Sequence, residues 1–317
     1  MNQRKEVYRK KFDELTLTQL FEIVRARFTV FVGEQHILEP EYDDIDYKSI
    51  HLFIPDGDAI IAYARLFRGD APGRWMLGRM LTVQRKQGLG AAILRAAIEY
   101  VKEQGGTEIL LHAQLHAKGF YAHHGFQVCS DVFEEAGIPH VLMSMATGRI
   151  YLRPWLESDA AVLYQYASDP EVGPRAGWPP HKSVEESLEV IRTVFNDVTC
   201  TWAIVLSQTG EPIGAMGYGP SCECRLPARE GEPLIGYWVA RPYWNQGICT
   251  EALQLMIDHI RETTDIRSLI SGHFIDNPAS GRVMEKCGFI PTGETVVDPD
   301  QGRDTPIRVL RLALITR

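Results

Sequence analysis

The chain has 317 residues, with 33 Lys and Arg against 41 Asp and Glu, and six cysteines. That length is long for one compact domain and sufficient for two, each with its own core. The net charge of −8 argues against general nucleic-acid affinity and leans toward a cationic or amine-bearing substrate. No apolar run reaches membrane-spanning length, and the opening Met-Asn-Gln-Arg-Lys-Glu does not read as a signal peptide. The cysteines at 129, 200, 222, 224, 249 and 287 are scattered. Only Cys222 and Cys224 stand close together, and no two further ligands at fixed spacing complete a metal site. Reduced thiols in a cytoplasmic protein are expected.

A helical pattern runs from Leu17 to Phe31, with Leu17, Leu20, Phe21, Val24 and Phe28 on one side. An acidic loop, Glu34 to Asp46, follows it. His51 to Ile54 and Ala59 to Phe67 read as hairpin strands joined through Pro55-Asp-Gly-Asp58. Trp75 to Val83 reads as a strand that runs into Gln84-Arg-Lys-Gln-Gly-Leu-Gly-Ala91. A helix then extends to about Gln104, with Leu94, Ala97, Ile98 and Val101 on its buried face, and Gly105-Gly106 ends it. Glu108 to Ala113 is the next strand, followed by Gln114-Leu-His-Ala117-Lys-Gly-Phe-Tyr121-Ala-His-His-Gly-Phe126.

The same order of parts recurs later. Leu234 to Val239 reads as a buried strand that Pro242 stops, with a tight turn through Asn245, Gln246 and Gly247. Thr250 and Glu251 open a helix with Leu253, Met256, Ile257 and Ile260 on one face. Leu269 to His273 is a strand, and Asn277-Pro-Ala-Ser280-Gly-Arg-Val-Met-Glu-Lys-Cys-Gly-Phe289 follows. Gln114 precedes Phe126 by the interval at which Asn277 precedes Phe289. Two homologous domains in tandem, 1–146 and 147–317, are expected, with a short polar join at Ala146-Thr-Gly-Arg149. A glycine turn that opens a helix leaves backbone N–H groups without partners, a natural seat for phosphate; alternatively Gly247 only lets the chain turn.

The later half resembles the ribosomal-protein-alanine acetyltransferase (RimJ/RimL-type) branch of the GNAT superfamily of N-acetyltransferases. The matching segments are Gly236-Tyr237-Trp238, Trp244-Asn-Gln-Gly247-Ile-Cys-Thr-Glu-Ala252 and Asn277 to Phe289, preceded by Ile150-Tyr-Leu-Arg-Pro-Trp155 and Ser158-Asp159-Ala160. The earlier half resembles the ElaA-like branch through Val30-Phe-Val-Gly-Glu-Gln35, Gly78-Arg79, Arg85-x-x-Gly88-x-Gly90, Gln114-x-x-Ala117-x-x-Phe120-Tyr121, Gly125-Phe126 and Ala136-Gly-Ile-Pro-His140 with Met143. The fold implied is α/β (α+β): two domains, each with a mixed, mostly antiparallel central sheet flanked by helices. The first half departs from its branch in having about two residues fewer between Gly78-Arg79 and Arg85, where the strand bends into the helix. The second departs from the superfamily at Trp244, where Arg or Gln is frequent but Trp is normal in its branch, and at Cys249, where Ala or Gly is usual.

The resemblance implies transfer of an acetyl group from acetyl-CoA to an amine, without a metal. The diphosphate would be held by Gln246, Gly247, Ile248, Cys249 and Thr250 in the second domain and by Arg85, Gly88, Leu89, Gly90 and Ala91 in the first. A strand N–H near Trp238 and Val239, or near Leu81 and Thr82, would serve the oxyanion. Tyr121 stands at the usual tyrosine position for hydrogen-bonding the thiolate. Met284 takes that place in the second domain, where Ser280, one helical turn earlier, is the candidate hydroxyl. Each hydroxyl has a plainer reading: Tyr121 as a core aromatic beside Phe120, Ser280 as a helix-start cap. Asn277 is expected to contact the pantetheine arm or to order the following turn. Candidate bases are Glu34 and the acidic loop in the first domain, and Glu294 or a water chain in the second. His112, His116, His123 and His124 invite a metal reading, but solvated or core-packed imidazoles are the plainer account. Trp178-Pro-Pro-His181 is either an acceptor-lining loop or a rigid surface turn.

The expected protein is a cytoplasmic N-acetyltransferase acting on a small-molecule or peptide amine (a protein N-terminus or a small cationic amine), with no nucleic-acid or membrane partner and with a homodimer allowed for. The second domain is expected to be catalytic. The alternatives are a catalytic first domain acting through Tyr121, or an acyl-CoA-binding sensor without turnover.

Overall fold

The structure, a computed structural model, describes residues 6–198, 200–220, 226–297 and 304–314. The Cys222 and Cys224 pair lies outside the described residues. Two compact units are present, residues 1–70 with 74–148, and residues 71–73 with 149–317.

In the first unit the strands are β1 (Tyr8–Lys11), β2 (Ile50–Asp56), β3 (Ala59–Arg68), β4 (Arg74–Thr82), β5 (Glu108–Gln114), β6 (Gln127–Val128), β7 (Phe133–Glu135) and β8 (Ile138–Ala146). Among the described residues they form one sheet in the order β1-β2-β3-β4-β5-β8-β6, with β7 also on β8. The helices are α1 (Leu17–Arg27), α2 (Ile45–Lys48), α3 (Leu89–Glu103) and α4 (Lys118–His123). Leu94, Ala97 and Val101 of α3 are fully buried against the sheet, as the 3.6-residue spacing of these side chains predicts.

The second unit carries β9 (Ile150–Pro154), β10 (Cys200–Leu206), β11 (Pro212–Gly219), β12 (Leu234–Val239), β13 (Ser268–Phe274), β14 (Ile290–Val296) and β15 (Ile307–Ala313). Their order is β14-β15-β13-β12-β11-β10-β9. Its helices are α5 (Ala160–Ala167), α6 (Gly173–Ala176), α7 (Val184–Val190), α8 (Ile248–Thr263) and α9 (Pro278–Lys286). Leu253, Met256, Ile257 and Ile260 of α8 lie in the core with Met284 of α9. In both units the sheet is antiparallel except at one central pair, β4 with β5 and β12 with β13. The mixed, mostly antiparallel sheet expected for each half is thus present.

Helix α1 faces the other way from its apolar stripe. Leu17, Phe21 and Phe28 are 87%, 63% and 57% exposed, whereas Glu22, Ile23, Ala26 and Arg27 are buried. An ionic anchor accompanies this orientation. The Arg27 guanidinium, inside the unit, pairs with Glu41 at 3.1 Å and Asp46 at 2.7 Å. Beyond α1 the chain continues as a π-helical stretch, Phe28–Glu34, which buries Val30 and Phe31 beside Ile23, Phe53 and Tyr63.

Most acids of the acidic loop, expected to attract a cationic amine or to supply a base, are paired with arginines of the same unit. Arg65 binds Asp43 through both terminal nitrogens, at 2.7 and 2.8 Å, and reaches Asp46 at 2.9 Å. Arg79 pairs with Glu41 at 2.9 Å. Hydrogen bonds from Arg65 hold the Asp43 carboxyl below its ordinary range, while burial pushes Glu41 upward. Glu34, the other candidate base, is paired with Arg85. Removing one partner of a buried ion network leaves uncompensated charge, at a cost of about 3–5 kcal/mol. Arg27→Met is therefore expected to destabilise the first unit by about that much, read as a lowered urea midpoint of its unfolding transition.

Candidate active site

The site of the second unit begins with a pairing that stops. β12 and β13 run parallel but register only at Leu234 and Ile270. The Ser271 hydroxyl donates to the Ile235 carbonyl (2.9 Å) just beyond that point. A cavity of about 440 Å³ opens where the strands part, lined by residues of β12, β13 and the starts of α8 and α9. Its size falls within the range of small-molecule sites.

The loop into α8 supplies unpaired donors. Asn245 and Gly247 both have positive φ, +60° and +75°, which turns the chain sharply before the helix. Gly247 is the N-cap and brings no side-chain acceptor; the first helical bond runs from Glu251 N–H to the Gly247 carbonyl (3.1 Å). The N–H groups of Ile248, Cys249 and Thr250 therefore have no intrahelical partner and point, with the helix dipole, at whatever lies before the helix. Glu251 in the first turn would oppose an anion there, but Arg149 pairs with it and also donates to the Gln246 carbonyl at 2.9 Å.

The other end of the loop is fixed by Trp244, whose indole N–H donates to the Val239 carbonyl (2.6 Å). The Arg175 guanidinium lies 5.5 Å from the centre of the Trp244 ring, a cation–π arrangement. Arg175, Arg282 and Lys286 all line the cavity, and among its described lining residues there is no carboxylate. Arg175 also pairs with Glu171 at 3.1 Å, while Arg282 and Lys286 are exposed on α9, and an anionic ligand fits this lining.

Two hydroxyls meet at the start of α9. Ser280 Oγ donates to the Tyr237 hydroxyl at 3.1 Å, and the Tyr237 hydroxyl donates to the Ser280 carbonyl at 2.9 Å. Burial pushes the Tyr237 pKa far above its usual value, so its proton stays in place across the working pH range. Burial likewise holds the Cys249 and Cys287 thiols in their protonated forms. His273 donates from Nδ1 to the Phe274 carbonyl (2.8 Å), and its Nε2 is turned to α9. A Cβ on Gly281 would come within 2.6 Å of that Nε2.

The first unit repeats the plan with differences. β4 and β5 pair through three residues, Arg74 to Met76 with Glu108 to Leu110, before they part. A bulge at Arg79 (φ +52°) shifts the register against β3 between Tyr63 and Arg65. Gly88 (φ +72°) caps α3 without a side-chain acceptor. Residues 83–88 join β4 to α3, against 240–247 between β12 and α8, so this bend is two residues shorter. Met80 and Phe120 stand 3.5 Å, and Thr82 3.7 Å, from a Cβ built on Gly90. The Tyr121 hydroxyl has Met80 Sδ as its partner at 3.5 Å, and burial pushes its pKa up to about 12.

Family comparison agrees with this geometry. Residues 20–147 and 149–290 each match a model described as an acetyltransferase (GNAT) domain. A UPF0039 protein of Schizosaccharomyces pombe is 35% identical over 141 residues, spanning 43% of this chain and 93% of that protein. The chain belongs to the GNAT acetyltransferase family. Protein ElaA of Escherichia coli is 30% identical to this GNAT chain over 140 residues, 41% of this chain and 90% of ElaA. A solved structure described as RimL, a ribosomal L7/L12 α-N-protein acetyltransferase in complex with coenzyme A, is 19% identical, with 53% of this chain and 96% of that chain covered at a TM-score of 0.46.

Of the positions expected in the second half of this GNAT protein, Trp238, Val239, Gly247, Ile248, Cys249, Thr250, Asn277 and Ser280 all line this same cavity. Gln246 is not among its lining; its side chain donates to the Pro242 carbonyl instead. Asn277 donates from Nδ2 to the Arg175 carbonyl at 3.3 Å and makes no side-chain cap to α9. Glu294 is exposed on β14 and outside the cavity lining. Trp178 packs edge-on against Trp238 with ring centres 5.8 Å apart, and His181 bonds Ser187 Oγ at 2.8 Å, so that loop is packed rather than open. In the first half Leu81 and Leu89 are buried, Thr82 flanks Gly90, Ala91 lies in the first turn of α3, and Arg85 is turned to Glu34. His112 is engaged by Glu135 and His124 by the Phe120 carbonyl.

Sequence reasoning assigned no role to Tyr237, Arg175 or His273. Tyr237 and His273 follow the registered pair Leu234 and Ile270 at equal distance along parallel strands, which places them on one face. Nothing in the sequence alone announces Arg175. The crowding at His273 yields a prediction: Gly281→Ala forces the imidazole or α9 to shift. It is expected to cost about 1–3 kcal/mol, measured as a lower unfolding midpoint of the second unit.

Proposed function

We propose that the second unit transfers an acetyl group from acetyl-CoA to an α-amine, and that the first unit is a partner without turnover. The observation that carries this reading is the cavity between β12 and β13, where free helix-start amides, three cationic side chains and a hydroxyl pair converge without a carboxylate among the described lining.

Acetyl-CoA fits each part. Its diphosphate suits the amides of Ile248, Cys249 and Thr250 with Arg175 nearby; its pantetheine, an extended chain with amide groups, suits the gap where β12 lacks a strand partner. The thioester oxygen would accept from a strand N–H near Trp238 and Val239 as negative charge develops on it. The Ser280 and Tyr237 hydroxyls in the same cavity would offer a departing thiolate its hydrogen bond; a thiol of pKa about 8.5 requires no more than that.

The lining bears on the acceptor. Among its described residues no carboxylate is placed to take a proton or to seat a polycation, which favours an amine that arrives largely neutral. An α-amine, with a pKa of about 8, meets this condition far better than a Lys-like amine at about 10.4. A peptide N-terminus or an amino acid is therefore favoured over a small polycation. In the first unit, the shorter bend, the Arg85–Glu34 pair and the Met80 and Phe120 side chains beside Gly90 favour a site without bound ligand.

Titration calorimetry with acetyl-CoA is expected to give one site per chain. Gly247→Glu, which adds a carboxylate and a Cβ where φ is +75°, should remove it; Gly247→Asn, which tolerates that φ, should retain it. Absence of heat with the unaltered protein, or full binding by Gly247→Glu, would refute the reading. Acetyl transfer to a peptide N-terminus, followed as released thiol, should rise with pH up to about 8 and then level off.

A further inference from the structure

The two units hold the same pair of side-chain types in exchanged places. At one offset before the strand ends at Thr82 and Val239 stand Met80 on β4 and Tyr237 on β12. At one offset after Gln114 and Asn277 stand Tyr121 on α4 and Met284 on α9. In the first unit the helix carries the hydroxyl and the strand the thioether, and the two touch, Tyr121 Oη to Met80 Sδ at 3.5 Å. In the second unit the strand carries the hydroxyl, and Met284 on the helix is fully buried in the core. Met284 can donate nothing, yet a phenol is still present at the mouth of α9.

We propose that Tyr237 is the group that hydrogen-bonds the departing coenzyme A thiolate in the second unit, with Ser280 holding it in position. This rests on the reading that the second unit binds acetyl-CoA. The amine nitrogen attacks the thioester carbon, a C–N bond forms, the C–S bond breaks, and its electron pair stays on sulfur. The nitrogen's surplus proton passes to water. The thiolate accepts the Tyr237 O–H, which swings from the Ser280 carbonyl, and takes a proton from water as coenzyme A leaves. Ser280 Oγ continues to donate to the Tyr237 oxygen, which keeps that hydroxyl polarised toward sulfur. Cys249 and Cys287, the described thiols nearby, remain protonated and take no part.

The test is made at equilibrium, independently of the acceptor. Coenzyme A is bound to the full chain carrying Tyr121→Phe, so that only one phenol of the exchanged pair remains, and the bound thiol is titrated by its thiolate ultraviolet absorbance. A phenol donating to the thiolate should lower the thiol pKa by about one unit from its free value of about 8.5. Tyr237→Phe should abolish that shift while the calorimetric affinity for coenzyme A changes less than about threefold. Tyr237→Met combined with Met284→Tyr, in a chain that keeps Tyr121→Phe, rebuilds the first unit's arrangement and should restore the shift. An unchanged thiol pKa in Tyr237→Phe overturns the proposal. So does loss of the shift without recovery in an exchanged protein that still binds coenzyme A; if the exchanged protein does not bind, Tyr237→Phe alone decides. Failure of the starting protein to bind coenzyme A overturns the parent reading instead.

Discussion

The site depends on two parallel strands that cease to pair. Backbone N–H and C=O groups inside a sheet are ordinarily satisfied by the neighbouring strand, and leaving them open in a dry interior is costly. β12 and β13 meet at one registered position, and the cavity occupies what would otherwise be a continuous ladder. Much of the second unit then works to hold that gap open. Gly214 accommodates the close approach of the Trp238 carbonyl, within 2.4 Å of where its Cβ would stand, so β11 can press against β12 from behind. Trp244 clamps the loop to the end of β12, and α8 seals one side with a wholly apolar face.

Charge is distributed differently in the two units. In the second, cations stand around the cavity while the nearest acid of the loop, Glu251, is paired with Arg149. In the first, three arginines and three acids close on one another, with Arg27, Arg65, Glu41 and Asp46 buried and Asp43 at the surface, and Arg85, the residue best matched to a phosphate signature, is turned to Glu34. Similar parts in similar order thus present one basic groove and one internally neutral assembly.

How far the sequence discloses this follows from the range of each signal. The strand of Leu234 to Val239 and the faces of α3 and α8 were legible because local periodicity reports burial directly. Gly247 was legible because a left-handed turn before a helix demands a residue that tolerates it. The stripe on α1 misled, because periodicity identifies a face without saying which way it points; there Ile23 and the ion pairs of Arg27 lie on the inward side. The acidic loop misled for a similar reason: its partners Arg27, Arg65 and Arg79 lie far along the chain, and pairings across 14 to 38 positions leave no local mark. Tyr237 went unassigned because its partner, Ser280, is reached only through the register of two strands and the placement of a helix.

The enclosure of the arginine–carboxylate network also separates two responses to dissolved salt. Mobile ions screen charges that they can approach, over a Debye length of about 8 Å at physiological strength, and act far less on pairs shut away from solvent. Arg27 and Arg65 lie in the latter class, whereas Arg282 and Lys286 stand at the surface of α9. Raising the ionic strength should therefore weaken capture of a polyanion by one half of the molecule and leave the folding of the other half nearly untouched.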